Sequence, residues 1–404
     1  MSLTKKLKLR SGIPVWTSYP FKAVRARPLR KNVSTEVLVV GAGISGALVA
    51  HALTRQGHRV TVVDRRGAVQ GSTLASTALL QFEIDLPLSH LARKIGKRPA
   101  ERAWLRSKRA LDHLGALIRT ERIHAGLSSK PSLYLAGNIL DADGLRREDR
   151  ARSRIGLPSE YLSRAALRRR FDIRREAAIV SSSNLALDPR ALTSGLLRRA
   201  CRGGASLLAP VEIVDVQTGR REVLVATKQG FDFKARHVVF CTGYELLKLI
   251  PVGGHTIGST WVIATRPQPT RLWPEECLIW EAADPYLYAR TTRDGRVICG
   301  GEDASFSDEA HRDTLIGAKA ATLERKLAQL LPRLNTCAEF RWAGSFGQSS
   351  TGLPSIGSVP GYRNCYAVLG YGGNGITFSM MAAELLSAAI HRKRDPDAAI
   401  FAFR

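Results

Sequence analysis

The sequence predicts an α/β protein built on a Rossmann-like dinucleotide-binding unit, with a second, strand-rich portion beside it. Three stretches carry that prediction. Residues 37–64 read as strand, glycine turn, helix and second strand. Residues 366–390 repeat the strand, glycine turn and helix near the other end of the chain. Between them, residues 257–301 are rich in short strands.

In the first stretch, residues 37–40 form a continuous aliphatic run, the pattern of a strand buried on both faces. Gly41, Gly43 and Gly46 have the G-x-G-x-x-G spacing. The first glycine permits a tight turn, the second admits a pyrophosphate to the backbone, and the third lets helix and strand pack closely. A helix over residues 47–56 brings its unpaired N–H groups and positive dipole end to that turn, beside Ile44 and Ser45. Asp64 closes the second strand, eighteen residues beyond Gly46, where a carboxylate can accept from a ribose 2′-hydroxyl. Arg65 and Arg66 follow it, and leave the kind of dinucleotide open.

Taken in order, residues 1–34 read as an extended arm with Trp16, Tyr19 and Phe21 to bury against the body. Residues 71–85 begin with small hydroxyl side chains, among them Ser72, Ser76 and Thr77; on composition alone this is a loop before a helix. Residues 88–118 have helical periodicity, and 132–135 read as a strand. Residues 141–170 read as two basic helical pieces broken at Gly156 and Pro158. Asp188 and Pro189 open a further helix as N-cap and first-turn residue. Residues 207–216 and 222–226 read as a strand pair. The strand starting at His237 can rejoin the parallel sheet and bring Thr242 and Gly243 to the dinucleotide. Tyr286, Tyr288 and Arg290 alternate, so they share one face of a strand, as a pocket wall or as a solvated sheet face. Residues 315–331 form an amphipathic helix ended by Pro332. Gly370, Gly372, Gly373 and Gly375 then deliver a second helix N-terminus, worth roughly 0.3–1 kcal/mol to an adjacent negative charge. Two such joints in one chain point to one long cofactor between them.

Composition narrows the class. Apolar residues make up 44% of the 404, with no run of eighteen, so no membrane span is expected. The basic first ten residues lack an apolar signal core, and the six cysteines have no C-x-x-C or ligand-like spacing. The expectation is a cytoplasmic protein without a metal site. The net charge of +26 invites nucleic-acid binding. The arginines, however, are dispersed and densest in helical segments 146–154 and 164–175, with no aromatics interleaved in a recognisable RNA-binding motif, so a solvated basic face is expected instead.

These motifs resemble, in order and spacing, the flavoproteins of the D-amino-acid oxidase, glycine oxidase and sarcosine oxidase superfamily. The resemblance spans residues 35–392. It rests on Val39-Val-Gly-Ala-Gly-Ile-Ser-Gly, Gly71-Ser-Thr-Leu-Ala-Ser, Leu187-Asp-Pro-Arg, Cys241-Thr-Gly, Trp342-Ala-Gly, Leu353-Pro-Ser-Ile-Gly and Gly370-Tyr-Gly-Gly-Asn-Gly-Ile-Thr-Phe-Ser. It implies a Rossmann-like FAD-binding domain and an α+β substrate domain on an antiparallel sheet. The segments would be 35–95, 177–245 and 342–395 for FAD, with 96–176 and 246–341 for substrate and 1–34 as arm. By the resemblance, Gly41, Gly43, Ile44, Ser45 and Gly46 hold the diphosphate. Asp64, one methylene shorter than the family's usual Glu, takes the adenosine ribose with Arg65 beside it. Ser72, Ser76 and Thr77 meet the ribityl and pyrimidine portion, Val211 the adenine, and Gly372, Gly373, Asn374, Gly375 and Ile376 the flavin ring.

The implied reaction is oxidation of a C–N bond in a small amine or amino acid, by hydride transfer to flavin N5 and reoxidation by O₂ or another acceptor. The family's amino-acid oxidases carry an arginine two residues after the glycine of the Trp-Ala-Gly-like motif, where it clamps the substrate carboxylate. Here Ser345 and Phe346 follow Gly344. That departure resembles the amine-oxidising γ-glutamylputrescine oxidase-like members. Tyr286, Tyr288, Arg290 and Phe346 are the pocket candidates, with Arg290 as a substitute cation. No catalytic base stands out. Non-covalent FAD is expected, because nothing in the sequence activates Cys337 or Cys365. The rival readings are a nicotinamide-dependent dehydrogenase and an RNA-associated flavoprotein modification domain.

Overall fold

The computed structural model describes residues 3–250 and 254–403. Residues 1–2 of the expected arm and 251–253 of the expected substrate segment lie outside them.

Valine-rich strands make the spine of the first sheet. Cys365–Leu369, Asp232–Phe240, Val33–Val40, Val60–Val63 and Ser206–Leu208 run parallel, with Ser355–Ser358 antiparallel at one edge. The hairpin Ile213–Thr218 with Val223–Thr227 hangs from Asp232–Phe240 and completes the eight described strands. Val37, Leu38 and Val39 are fully buried, as their unbroken aliphatic run requires. Helices Ile44–Arg55, Pro189–Arg202 and Gly375–Ile390 pack together over this sheet, and Lys97–Thr120 lies against the last of them.

The second sheet is mostly antiparallel. Its order is Arg10–Gly12, Ala338–Ser349, His255–Thr265, Val297–Ala304, Leu287–Thr291, Leu278–Glu281, Ser128–Leu135, Ala177–Ala186 and Leu79–Leu80, with Glu160–Ser163 paired to Ala177–Ala186. Ala177–Ala186 thus sits in this sheet, and the arm contributes its outermost strand. A buried run such as Ala-Ala-Ile-Val fits either sheet; only its partner Ser128–Leu135 decides which.

Several elements differ from expectation for local reasons. The helix expected over 88–118 is two, Leu88–Ile95 and Lys97–Thr120, because Gly96 turns the chain at φ +91°. The strand expected over 207–216 breaks at Pro210 into Ser206–Leu208, in the parallel sheet, and Ile213–Thr218, in the hairpin. Strand Glu160–Ser163 separates the two basic helices Ala142–Arg154 and Arg164–Phe171. The arm buries Val15 and Trp16 fully, whereas Phe21 stays exposed.

A buried ion pair ties helix Ala142–Arg154 to the start of helix Leu88–Ile95. Glu148, fully buried, accepts from the Leu88 and Ser89 N–H groups (2.8 and 2.9 Å) and from Arg152 Nε (2.9 Å). The Arg152 guanidinium lies over Trp104 and Tyr134. Removing Glu148 leaves Arg152 charged, buried and unmatched. Glu148→Ala is expected to cost about 3–5 kcal/mol, read as a lower denaturant midpoint. A loss below about 1 kcal/mol means that water reaches Arg152.

Candidate active site

The two glycine joints converge. Helices Ile44–Arg55 and Gly375–Ile390 start side by side, their first turns joined by Ser45 Oγ and Ser379 Oγ at 2.7 Å. Gly41 has φ +117°, and any side chain there would collide with the Cys241 carbonyl; one on Gly46 would strike the Gly41 carbonyl. Gly43 differs, because its open side meets only Thr73 Oγ1, at 3.1 Å. Asp64 braces this turn: Oδ2 accepts from the Ala42 N–H (2.8 Å), and Oδ1 from those of Arg66 (2.7 Å) and Gly67 (2.9 Å). Oδ2 retains a free acceptor site, so a ribose hydroxyl is still accommodated.

The hydroxyl-rich loop is held from behind by three buried side chains. Trp342 Nε1 donates to the Ala75 carbonyl (2.9 Å) and Trp16 Nε1 to that of Ser76 (2.6 Å). Arg290 Nη1 donates to the carbonyls of Thr77 (3.2 Å), Ala78 (2.7 Å) and Leu187 (3.0 Å). Arg290 therefore does not line the pocket or offer a substrate clamp. It shares the strand face of Tyr286 and Tyr288 but lies beyond the cavity's edge, with burial lowering its pKa to about 10.

The second glycine turn is stitched to residues 81–85. Asn374 Nδ2 donates to the Glu83 carbonyl (2.8 Å), and its Oδ1 accepts from the Asp85 N–H (3.2 Å). Asp85 Oδ2 accepts from the Gly373 N–H (2.7 Å). Asp85 lies deep in the fold, yet its side chain is exposed, because it faces the cavity. Burial raises its pKa and the Gly373 bond opposes the rise.

Between the sheets lies a cleft of about 1960 Å³, counting its open mouth. Gly41, Gly43, Ile44, Ser45, Asp64, Arg65, Ser72, Ser76, Thr77, Val211, Thr242, Gly243 and residues 372–376 line it. Gly46 does not; it serves helix–strand packing. From the antiparallel sheet come Tyr286, Tyr288 and Phe346, together with Thr260, Trp280 and Asp303, which the sequence did not single out. Asp85 and Gln81 were missed as well, although Asp85 ends the hydroxyl-rich stretch. Tyr286 Oη donates to Asp303 Oδ2 at 2.6 Å. Burial raises the Asp303 pKa to about 6 despite the Thr260 and Tyr286 hydroxyls.

The arm closes one wall. Leu3, Thr4 and Leu9 line the cleft; the Leu7 N–H donates to Glu245 (2.7 Å), which also holds Arg66 (2.5 Å). Cys337 and Cys365 do not line it, and burial pushes the Cys365 thiol up to about 12. Among the described residues no cluster suited to a metal ion occurs, and no helix is long and apolar enough to cross a membrane.

Residues facing the cleft fit a bound dinucleotide. Arg65 Nη1 and Gln81 Nε2 are buried polar atoms with no partner among the described residues. Two helix N-termini also point where a diphosphate and an electron-rich ring would lie. Such a site defines a class, a dinucleotide-binding protein that holds a second ligand against its cofactor. The chain belongs to the FAD dependent oxidoreductase family, whose pattern matches residues 36–389. Its cofactor is FAD, which removes the nicotinamide-dependent reading.

Glycine oxidase of Geobacillus kaustophilus is 25% identical over 379 residues, covering 89% of this chain and 93% of that protein. The crystal structure of that organism's glycine oxidase superposes with a TM-score of 0.76 at 22% identity, over 92% of this chain and 98% of the other. The L-proline dehydrogenase of P. horikoshii superposes at 0.75 with 18% identity, over 93% and 97%.

Proposed function

We propose that this flavoenzyme oxidises a C–N bond of a small amine or amino acid and passes the electrons to O₂ or another acceptor. The observation that carries this reading is the chamber between the second glycine turn and Tyr286, Tyr288, Trp280 and Phe346. A small molecule held there would lie against the expected position of the flavin ring, which supports the reading. Relatives of the family, glycine oxidase among them, support C–N chemistry. In this reading the parallel-sheet portion holds non-covalent FAD and the antiparallel sheet walls the substrate. All six cysteines are free, which supports a reducing, cytoplasmic setting.

When bound, FAD supplies the two-electron acceptor. The protein's residues do the rest. The Ile44–Arg55 N-terminus would take the diphosphate, and Asp64 the ribose. Residues 72–77, fixed through Trp16, Trp342 and Arg290, support the middle of the cofactor. The Gly375–Ile390 N-terminus would add a positive dipole end beside the ring. Aromatic walls exclude water and orient the substrate α C–H, which supplies most of what such a reaction needs.

The test is an anaerobic screen of the purified flavoprotein with amines, amino acids, 2-hydroxy acids and reduced nicotinamides. The flavin band is expected to bleach with a C–N substrate. Bleaching by hydroxy acids or nicotinamides alone contradicts the proposal.

The arm gives a second prediction. Removing residues 1–9 opens the wall formed by Leu3, Thr4 and Leu9 and strips Glu245 of one partner. FAD is expected to leave about tenfold faster, the effect of one lost charge-assisted hydrogen bond. An unchanged release rate, followed by flavin fluorescence, contradicts a closing role for the arm.

A further inference from the structure

The cleft has a charge opposite to that of the molecule. The chain carries 61 Lys and Arg against 35 Asp and Glu. Among the described residues the cleft is lined by two cations, Arg65 and Arg66, and by five acids: Asp64, Asp85, Glu212, Glu245 and Asp303. Both arginines follow Asp64, at the end assigned to the adenosine, and Glu245 pairs with both. The end walled by the antiparallel sheet has Asp85, Asp303 and no cation.

Among the described residues no cation pairs with either carboxylate. Asp303 Oδ2 accepts from Tyr286, and the Thr260 hydroxyl also favours its charge, while Oδ1 is sealed from solvent with no hydrogen-bond partner among the described residues. Asp85 takes one backbone N–H and acts on Asp303 through space, disfavouring the second charge. The nearest guanidinium behind Ser345 is committed elsewhere. Arg312, fully buried, donates to Ser345 Oγ (2.8 Å), Ser11 Oγ, the Lys8 carbonyl and Asp313. Lys319 and Lys326 pair with Glu302. Around the two acids stand Tyr286, Tyr288, Phe346 and Trp280, the last nine-tenths buried with its Nε1 unpartnered.

We propose that this end of the cleft binds an alkylammonium lacking an α-carboxylate, with Asp303 and Asp85 as its counter-charges and the aromatic rings around its carbon chain. The proposal rests on the C–N oxidation proposed above and names the substrate class for that same site. An ammonium over aromatic faces and beside carboxylates is attracted by both. An α-carboxylate would meet two like charges and no donor cation, a mismatch that selects against amino acids.

The reaction balances without any further group. The bound ammonium sheds one proton to solvent, and the α C–H bond breaks with its electron pair leaving to the cofactor. A C=N bond forms, so nitrogen becomes positive as the hydride departs. The facing carboxylates stabilise that developing charge. Water then adds to the iminium and releases an aldehyde and ammonium, and the acceptor takes the electron pair from the cofactor.

Three matched pairs test this on the holoenzyme: butylamine against norvaline, benzylamine against phenylglycine, and 1,4-diaminobutane against ornithine. Each second member adds only the α-carboxylate. Anaerobic flavin bleaching is expected with at least one amine at a kred/Kd about 100-fold or more above that of its partner. Asp303→Asn is expected to weaken the amine's apparent Kd by about 10- to 100-fold, as loss of one charge-assisted contact does. The wild-type affinity is expected to fall below about pH 6, where Asp303 takes up a proton, and the variant is expected to lack that limb. Asp85, Asp284, Tyr286 and Tyr288 are the titratable groups acting on Asp303, and Asp284 and Asp85 hold its pKa up. Equal bleaching by the amino acids, or an unchanged Kd in Asp303→Asn, overturns the proposal alone. Bleaching by neither member of any pair overturns it together with the reaction on which it rests.

Discussion

Gly43→Val is expected to purify folded and colourless. The other two glycines of the turn cannot make this test. A side chain on Gly41 or Gly46 collides with backbone carbonyls, so those variants damage the fold itself. At Gly43 a Cβ meets only the Thr73 hydroxyl, so the empty fold accommodates it with a small shift. The added isopropyl group instead fills the approach to the Ile44–Arg55 N-terminus, where a pyrophosphate must reach the backbone. Near-complete loss of flavin with a circular dichroism spectrum and Tm close to those of the wild-type apoprotein is the expected result. A yellow, fully loaded variant would show that the diphosphate binds elsewhere.

Arg290→Met is expected to behave as a loop-anchoring variant and not as a binding-site variant. The substitution removes one guanidinium from four carbonyls, those of Thr77, Ala78, Leu187 and Thr291, and from its place over the Trp16 ring. Unsatisfied buried carbonyls cost about 1–3 kcal/mol each before relaxation. A net loss of about 3 kcal/mol and weaker flavin retention are therefore expected, with the amine KM unchanged for the fraction that keeps its flavin. A selective rise in KM at unchanged stability would restore Arg290 to the substrate.

Asp303 shows the opposite balance. Its pKa is raised in the fold, so the native state holds a proton that the unfolded chain releases between about pH 4 and 6. Its ionised form therefore lowers stability above about pH 6. Asp303→Asn is expected to raise Tm at pH 8 while weakening amine binding, which separates a functional carboxylate from a structural one.

What the sequence revealed of the site was what is local. The glycine turns, Asp64 and the helix starts are set by a few consecutive residues, so their spacing is readable. Gly46 was readable as a motif member, although its work is packing against Gly41. Residues whose roles depend on distant partners were not. Arg290 lies on the predicted strand face, but its distance along the strand puts it under the 77–78 carbonyls. Asp303 and Asp85 meet only because Val297–Ala304 and the 81–85 segment reach one cleft from different parts of the chain. The arm's Leu3 and Leu9 gained a role once Arg10–Gly12 paired with Ala338–Ser349. No local pattern encodes that pairing.

The proposed reaction turns on hydride leaving an α C–H next to nitrogen. The most direct measurement compares anaerobic flavin reduction by the best amine of the screen with that by the same amine deuterated at the α carbon. Severalfold slower bleaching with the deuterated amine and one aldehyde released per flavin reduced are expected. Bleaching at equal rates with no carbonyl product would contradict it.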